Sequence, residues 1–174
     1  MTIKATYYGA NGWLIELDET RILIDPWLNG DLTFPPGDWL IKGELSKEIE
    51  VPRDIDILLL TQGQPDHAHT PTLKKINKDI PVIASEAACK VVSKMGYTKI
   101  NKLKPGENFK NKNLTIQATS GASVPNLENG YIIELDLDSI YIEPHGFLDK
   151  KIKPRNIDLL ITPVIDFSLP LAGK

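Results

Sequence analysis

Residues 54–71, Asp-Ile-Asp-Ile-Leu-Leu-Leu-Thr-Gln-Gly-Gln-Pro-Asp-His-Ala-His-Thr-Pro, are the stretch that decides the fold. Their uninterrupted apolar run predicts a short strand buried on both faces, as in a sheet covered by helices. Gly63 and Pro65 predict a loop after this strand. Thr70 and Pro71 then predict a helix start, with Thr70 as the N-cap. The strand therefore brings a polar loop to the end of a sheet, where ligands bind in open α/β layers.

The loop contains Asp66, His67 and His69, which include two of the three histidines of the chain. A strand, then Thr-x-x-x-x-Asp-His, then a helix resembles the Thr-His-x-His-x-Asp-His signature of the metallo-β-lactamase superfamily. The resemblance is to its lactonase-like branch of metal-dependent hydrolases, with a degenerate metal motif. Gln62 and Gln64 stand where the signature has its two leading histidines, so only Asp66 and His67 match.

An internal repeat supports the same fold without using that motif. Residues 13–26 and 131–144 align without a gap and are identical at seven of fourteen positions. The order is also shared, because residues 56–61 and 158–162 follow as similar buried strands. Hairpins that merely look alike are the alternative interpretation. Two related halves are what the resemblance implies: a single α/β domain over residues 1–174, folded as an αββα sandwich.

The second half is predicted to be incomplete at its C-terminus. The chain ends twelve residues after Thr162, where the family has a further helix, strand and ligand loop. A fragment, a truncated gene product and a compact variant remain open as explanations. A missing helix would leave apolar residues uncovered beside residues 157–162, so a homo-oligomer formed through that face is a further possibility.

The resemblance also implies which metal ligands are kept. The first metal of a two-zinc site is predicted to be lost, because Gln62, Gln64 and residues 119–125 offer no imidazole. The second metal is expected to use Asp66 and His67 together with His145, which falls at the ligand position after the second hairpin. The late histidine of the family would lie beyond the last residue. One divalent metal, zinc or else iron or manganese, is therefore expected.

Three further residues are candidate accessories to this site, namely His69, Glu143 and Asp25. Asp25 ends the first hairpin at the position equivalent to Glu143 and can orient an imidazole. Asp66 is the predicted catalytic base. Two alternatives stay open: a metal-free Asp–His pair that transfers protons, and a site without chemistry in which His67 and His69 cap the helix or bond backbone at a strand end.

The resulting hypothesis is a metal-dependent hydrolase of a small ester, a lactone or a phosphorylated metabolite. Its rival is a catalytically inactive binding or scaffold protein that keeps the fold without metal. The two glutamines favour the rival, whereas the predicted clustering of the histidines favours the enzyme.

Composition excludes several other classes of protein. A formal net charge of −3 over 174 residues gives no basic surface for nucleic acid or for anionic membranes. No apolar run approaches the roughly 20 residues that span a bilayer. One cysteine, Cys89, excludes an internal disulfide and suits a cytoplasmic location. Residues 28–53 are predicted to be an irregular loop, either a surface cover or a substrate-facing segment.

Overall fold

The computed structural model describes residues 2–35, 37, 42–123, 127–153 and 155–163. Strands dominate, and two short helices lie between them. In chain order the elements are β1 Ile3–Gly9, β2 Gly12–Leu17, β3 Thr20–Ile24, β4 Leu32–Thr33, β5 Lys42–Gly43, β6 Ile57–Leu60, α1 Thr70–Lys75, β7 Val82–Ala84, α2 Glu86–Lys94, β8 Ile100–Lys102, β9 Asn108–Asn111, β10 Leu114–Ser120, β11 Asn129–Leu135, β12 Asp138–Ile142 and β13 Leu159–Ile161.

Two sheets pack face to face and enclose the main core. The first has the order β1-β2-β3-β6-β7-β8, and the second has the order β13-β12-β11-β10-β9. Alternate residues of the strands, such as Ile15, Leu59 and Ile133, fill the space between the sheets. The helices pack on the other face of the first sheet, where Leu58 and Leu60 contact the apolar residues of α1 and α2. Strand β6 is therefore buried on both faces, as its sequence predicts.

The two halves share the same strand pairing and matching hydrogen bonds. Trp13 pairs with Ile24 in the first hairpin, and Tyr131 pairs with Ile142 at the matching position of the second. Each hairpin then adds one parallel strand, β6 beside β3 and β13 beside β12. The bond from the Asp25 N–H to the Leu59 carbonyl, 3.1 Å, recurs from Glu143 N–H to the Ile161 carbonyl at 2.9 Å. The prediction of two related halves is confirmed.

A carboxylate at the start of each added strand makes a second matching bond. Asp56 accepts from the Arg21 N–H at 2.8 Å, and Asp158 accepts from the Ser139 N–H at 2.8 Å. These side chains join strands that are distant in sequence, so they fix the parallel strand to its hairpin in both halves.

The structure corrects three details of local structure. The N-cap of α1 is His69 rather than Thr70, because its ring nitrogen accepts the N–H of Thr72. The segment 28–53 is not wholly irregular, since β4 and β5 pair within it. A strand missing from the sequence prediction, β9, pairs with β10 at the edge of the second sheet. Residues 36 and 38–41 of the segment 28–53 lie outside the described residues.

The outer face of the second sheet is contacted by the chain that follows β12. The Asp149 N–H donates to the Tyr141 hydroxyl at 3.0 Å, and Arg155 donates to Glu134 at 2.8 Å. No helix lies on this face in the part of the chain that the structure describes. Leu160 of β13 remains 47% exposed there. None of the described helices is long and apolar enough to cross a membrane.

Candidate metal centre

The loop after β6 is fixed by Asp25, which ends the first hairpin. Its carboxylate accepts the Thr61 N–H at 2.9 Å and the Thr61 hydroxyl at 2.5 Å. The Gln64 carbonyl then accepts the N–H groups of His67 and Ala68, which turns the chain before α1. Asp25 itself has a φ of 40°, a left-handed conformation that is uncommon outside glycine and persists where the surrounding structure imposes it.

Asp25 also orients His67, whose ring is only 1% exposed. Nδ1 of His67 lies 2.9 Å from the Asp25 carboxylate and 2.9 Å from the Thr61 hydroxyl. A carboxylate beside Nδ1 favours a proton on that nitrogen. Nε2 therefore faces the other way, 3.4 Å from an oxygen of Asp66 and 3.2 Å from the amide nitrogen of Asn11. The contact with Asn11 is a hydrogen bond only when the ring is neutral.

His145 is held in the same manner from the second half. Its Nδ1 lies 2.6 Å from the carboxylate of Glu128, which is fully buried. The loop that carries it is anchored by Glu143, which accepts the backbone N–H groups of His145 at 3.0 Å and Phe147 at 2.7 Å. The rings of His67 and His145 consequently approach to a centroid distance of 5.1 Å.

Asp66, His67 and His145 meet at one point of the molecule. One ligand atom from each lies within 4.8 Å of the others. The oxygen Oδ1 of Asp66 is buried and has no hydrogen-bond partner among the residues that the structure covers. Two imidazoles and a carboxylate are a donor set for zinc, iron or manganese, and an orphaned carboxylate oxygen suits a ligand position. The residues present therefore fit a single divalent metal.

Neighbouring charges dominate the electrostatics of this cluster. Burial lowers the pKa of His67, but Asp25 and Asp66 outweigh it and raise the pKa to about 10. The hydrogen bond to Glu128 raises the pKa of His145. Burial acts to raise the pKa of Asp66, yet the bond and charge of His67 leave it below the usual range. Asp66 is thus an ionised carboxylate at neutral pH, as a ligand or base requires.

The other candidates from the sequence have different positions. Asp25 contacts the ring of His67, and Glu143 accepts the backbone N–H of His145, as described. His69 lies outside the cluster, because its Nδ1 bonds Thr72 at 2.9 Å and its Nε2 lies 3.0 Å from the Asp31 carbonyl. Gln62, at a leading position of the motif, is buried. Gln64 contributes the backbone carbonyl that shapes the loop.

Two residues of the site were not predicted from the sequence. Asn11 lies between β1 and β2, where the sequence predicts a turn and nothing more. The amide of its side chain donates a hydrogen bond to Asp66 at 3.3 Å. Glu128 precedes β11 and has no pattern around it that distinguishes it from a surface glutamate. Its role depends on its contact with the ring of His145, which comes from another element 17 residues along the chain.

Comparison with known proteins identifies the fold of the chain. A family model described as a beta-lactamase superfamily domain matches residues 4–172. A UPF0173 metal-dependent hydrolase of Cereibacter sphaeroides is 31% identical over 90 residues, which are 52% of this chain and 31% of that protein. The chain thus spans less than a third of this curated relative.

Two solved structures have the same fold at low sequence identity. One is a possible metal-dependent hydrolase of Veillonella parvula, with a TM-score of 0.62 at 19% identity, covering 81% of this chain and 62% of that one. The other is CmlA, a diiron β-hydroxylase of Streptomyces venezuelae, with a TM-score of 0.60 at 19% identity, covering 80% of this chain and 28% of that one. These likenesses confirm the metallo-β-lactamase-like sandwich, and because their chemistries differ, they leave the reaction to be argued from the site.

Proposed function

The chain belongs to the beta-lactamase superfamily, and from that premise we propose that it is a metal-dependent hydrolase of a small molecule. One divalent metal would be held by Asp66, His67 and His145. A metal at this place would supply Lewis-acid chemistry, polarising a substrate oxygen and making water more acidic.

One observation carries the proposal: both histidines have Nδ1 against a buried carboxylate. Asp25 lies 2.9 Å from His67, and Glu128 lies 2.6 Å from His145. Metal-binding histidines commonly bond a carboxylate through the nitrogen that does not bind the metal, which fixes the tautomer and the ring. Nε2 of each ring is thereby left for a ligand, and Asp66 lies beside them.

Different residues of the chain would transfer a proton and orient the histidines. Asp66 is ionised and partly exposed, with 21% of its side chain accessible, so it can take a proton from water while it faces substrate. Asp25 and Glu128 hold the two rings, and Glu143 holds the backbone that carries His145. The substrate classes suggested by the family resemblance are an ester, a lactone or a phosphorylated metabolite. The single cysteine fits a cytoplasmic location.

A second candidate is a binding or scaffold protein without catalysis. Gln62 and Gln64 favour it, because amide side chains are poor zinc ligands beside histidine and carboxylate. In that case the buried carboxylates and histidines would be an ion-pair network that stabilises the ends of the two hairpins.

Metal titration with elemental analysis separates the candidates. We expect the wild-type protein to bind one equivalent of zinc or manganese, and His67→Ala to bind none. Glu128→Gln is expected to lower metal affinity about tenfold to a hundredfold, since it removes the carboxylate that orients His145. Gln62→Ala should leave the affinity unchanged.

His69→Asn is the matched control. It also removes an imidazole from the same loop, but one outside the cluster, and asparagine still caps a helix. Equal metal loss in His69→Asn and His67→Ala would reject the assigned ligands. Two equivalents in the wild type would reject the single-metal site, and no uptake of either metal would favour the scaffold.

A further inference from the structure

Asn11 reaches the metal centre from the turn between β1 and β2. Its side-chain nitrogen Nδ2 lies 3.3 Å from Oδ2 of Asp66 and 3.2 Å from Nε2 of His67. The same oxygen of Asp66 lies 3.4 Å from Nε2 of His67. Three polar atoms, one from each residue, therefore form a nearly equilateral triangle.

The sides of this triangle are longer than the hydrogen bonds that support the two rings. Asp25 lies 2.9 Å from His67 and Glu128 lies 2.6 Å from His145, which are distances of strong hydrogen bonds. Metal–ligand bonds of about 2.0–2.2 Å place neighbouring ligand atoms about 2.8–3.6 Å apart, for angles between those of an octahedron and a tetrahedron. The separations of 3.2–3.4 Å in the triangle match those of three ligands around one ion.

The backbone of the turn fixes Asn11 in this position. Ala10 has a φ of 46°, a left-handed conformation that is uncommon outside glycine. Its carbonyl accepts a hydrogen bond from the hydroxyl of Tyr7 at 3.1 Å. A Cβ atom on Gly12 would lie 3.3 Å from the carbonyl oxygen of Asp25, so glycine lets the turn pack directly on the end of the first hairpin. The turn is therefore held against the segment that orients the metal centre.

The amide of Asn11 can present its oxygen at this place as well as its nitrogen. A half-turn about the Cβ–Cγ bond exchanges the two atoms while the backbone stays fixed. Without a cation the nitrogen is favoured, because it donates to the carboxylate of Asp66. A divalent cation reverses this preference, because it attracts the carbonyl oxygen of the amide and repels the N–H groups.

From these observations we propose that Asn11 is a further ligand of the metal, bound through its side-chain oxygen Oδ1. The proposal rests on the metal centre of the proposed hydrolase and extends its ligand set to two nitrogens and two oxygens. Carboxylate and carbonyl oxygens suit manganese, whereas zinc is usually bound by thiolate, imidazole and carboxylate. Asn11 is therefore expected to favour manganese relative to zinc.

Metal titration of the full chain and its variants tests this assignment. Bound manganese is measured from the loss of the electron paramagnetic resonance signal of free Mn²⁺, and bound zinc by calorimetry. Asn11→Ala removes the whole amide and should weaken manganese binding about tenfold or more, and zinc binding less. Asn11→Asp keeps an oxygen in the same place and adds a charge, so it should bind manganese at least as tightly as the wild type.

A bound oxygen also brings the amide carbon next to the ion. Electron–nuclear double resonance of manganese-loaded protein, with asparagine labelled with ¹³C at Cγ, should show a strong ¹³C coupling in the wild type. The same label in Asn11→Asp should show none, because the labelled residue is no longer present at this position.

Asn113→Ala is the matched control. Asn113 is also a turn asparagine that donates to an aspartate, Asp136, at 2.8 Å, but between β9 and β10. It should leave both the manganese affinity and the ¹³C coupling unchanged.

Three results would overturn the ligand and keep the metal centre. These are wild-type affinity in Asn11→Ala, equal weakening by Asn11→Ala and Asn11→Asp, and no ¹³C coupling in the loaded wild type. Equal weakening would assign Asn11 to a hydrogen bond with Asp66 instead, because aspartate cannot donate that bond. A wild-type protein that takes up neither metal would reject the metal centre itself, and this proposal with it.

Discussion

His67 is the residue on which the site depends most, because it links both carboxylates of the first half. Asp25 lies against Nδ1 and Asp66 near Nε2, and together they raise its pKa to about 10 despite burial. The metal-free protein therefore keeps a buried imidazolium at neutral pH. A metal ion would replace the proton on Nε2, so the protonated ring is the state with which metal binding competes.

The raised pKa of His67 gives a testable dependence of stability on pH. A group whose folded pKa exceeds its unfolded value of roughly 6.5 stabilises the fold fully below that value, and this stabilisation is lost as pH rises toward the folded pKa. In chelator-treated protein, the free energy of unfolding lost in His67→Gln should thus be larger at about pH 6 than at about pH 9, by about 1 kcal/mol or more.

Urea unfolding of both proteins at the two pH values measures this difference. Comparison with the variant removes the contribution of the other titrating groups, which both proteins share. A difference between the two proteins that does not change with pH would contradict the assigned ion pairs of His67.

At this scale the sequence was informative about the proposed ligands, whereas it did not predict the residues that support them. Asp66 and His67 follow from the motif, and His145 follows from the alignment of the two hairpins. Glu128 and Asn11 do not, because a contact with an imidazole from another element and a bond between residues 55 positions apart leave no local pattern. Support residues are defined by tertiary contacts, whereas ligands are defined by residue type and spacing.

At the scale of elements, the loop between β6 and α1 is placed by close contact with α2. A Cβ atom on Gly63 would lie 2.8 Å from the backbone carbon and oxygen of Ala87. Neither atom can give way easily, because both belong to the first turn of the helix. The loop therefore requires glycine at this position for packing, in addition to the turn that the sequence predicts.

Gly63→Ala should accordingly displace the loop that carries Asp66 and His67. We expect a loss of about 1–3 kcal/mol in the free energy of unfolding, the usual cost of overpacking, together with weaker metal uptake. Denaturant unfolding and metal titration measure the two effects. Wild-type stability and metal affinity in this variant would show that the loop does not depend on the contact.

The helix after this loop shows why boundaries were less predictable than elements. Thr70 was predicted as the N-cap from residue preference alone. His69 takes that place because its ring also bonds Thr72 and the Asp31 carbonyl, which joins α1 to the segment after β3. Burial lowers the pKa of His69, so the ring stays neutral and Nδ1 can accept. Tertiary bonds thus overrode the local preference.

For the whole molecule, the repeat was the most reliable signal in the sequence. Seven identities over residues 13–26 and 131–144 correspond to hairpins with the same register. Apolar spacing and turn residues could predict this because each hairpin is stabilised locally. The strand order of the sheets depends on contacts between distant segments, such as β6 beside β3 and β13 beside β12, which spacing does not encode.

The exposed edge of the second sheet predicts self-association. Leu160 is 47% exposed on β13, which is an end strand of that sheet within the described residues. Apolar edge strands are sites of pairing with other chains, and a lysine there opposes it. We expect the protein to associate in size-exclusion chromatography, and Leu160→Lys to reduce this association.

Leu137→Lys serves as the control, because it places the same charge on an isolated apolar residue in a turn. A wild-type protein that elutes as a monomer at every concentration would contradict the prediction, as would equal effects of the two lysines.

The bond shared by the two halves has a consequence for amide hydrogen exchange. The N–H of Asp25 donates to Leu59 on β6, which lies between β3 and β7, and the N–H of Glu143 donates to Ile161 on β13. Opening the first requires the loss of central strands. Among the residues that the structure covers, β13 ends the second sheet, so detaching this one short strand releases the other. Two amides with equivalent bonds should therefore exchange at very different rates, Asp25 with global unfolding and Glu143 with local opening. The two halves share the geometry of this bond, but the rate at which each bond opens depends on the strands around it.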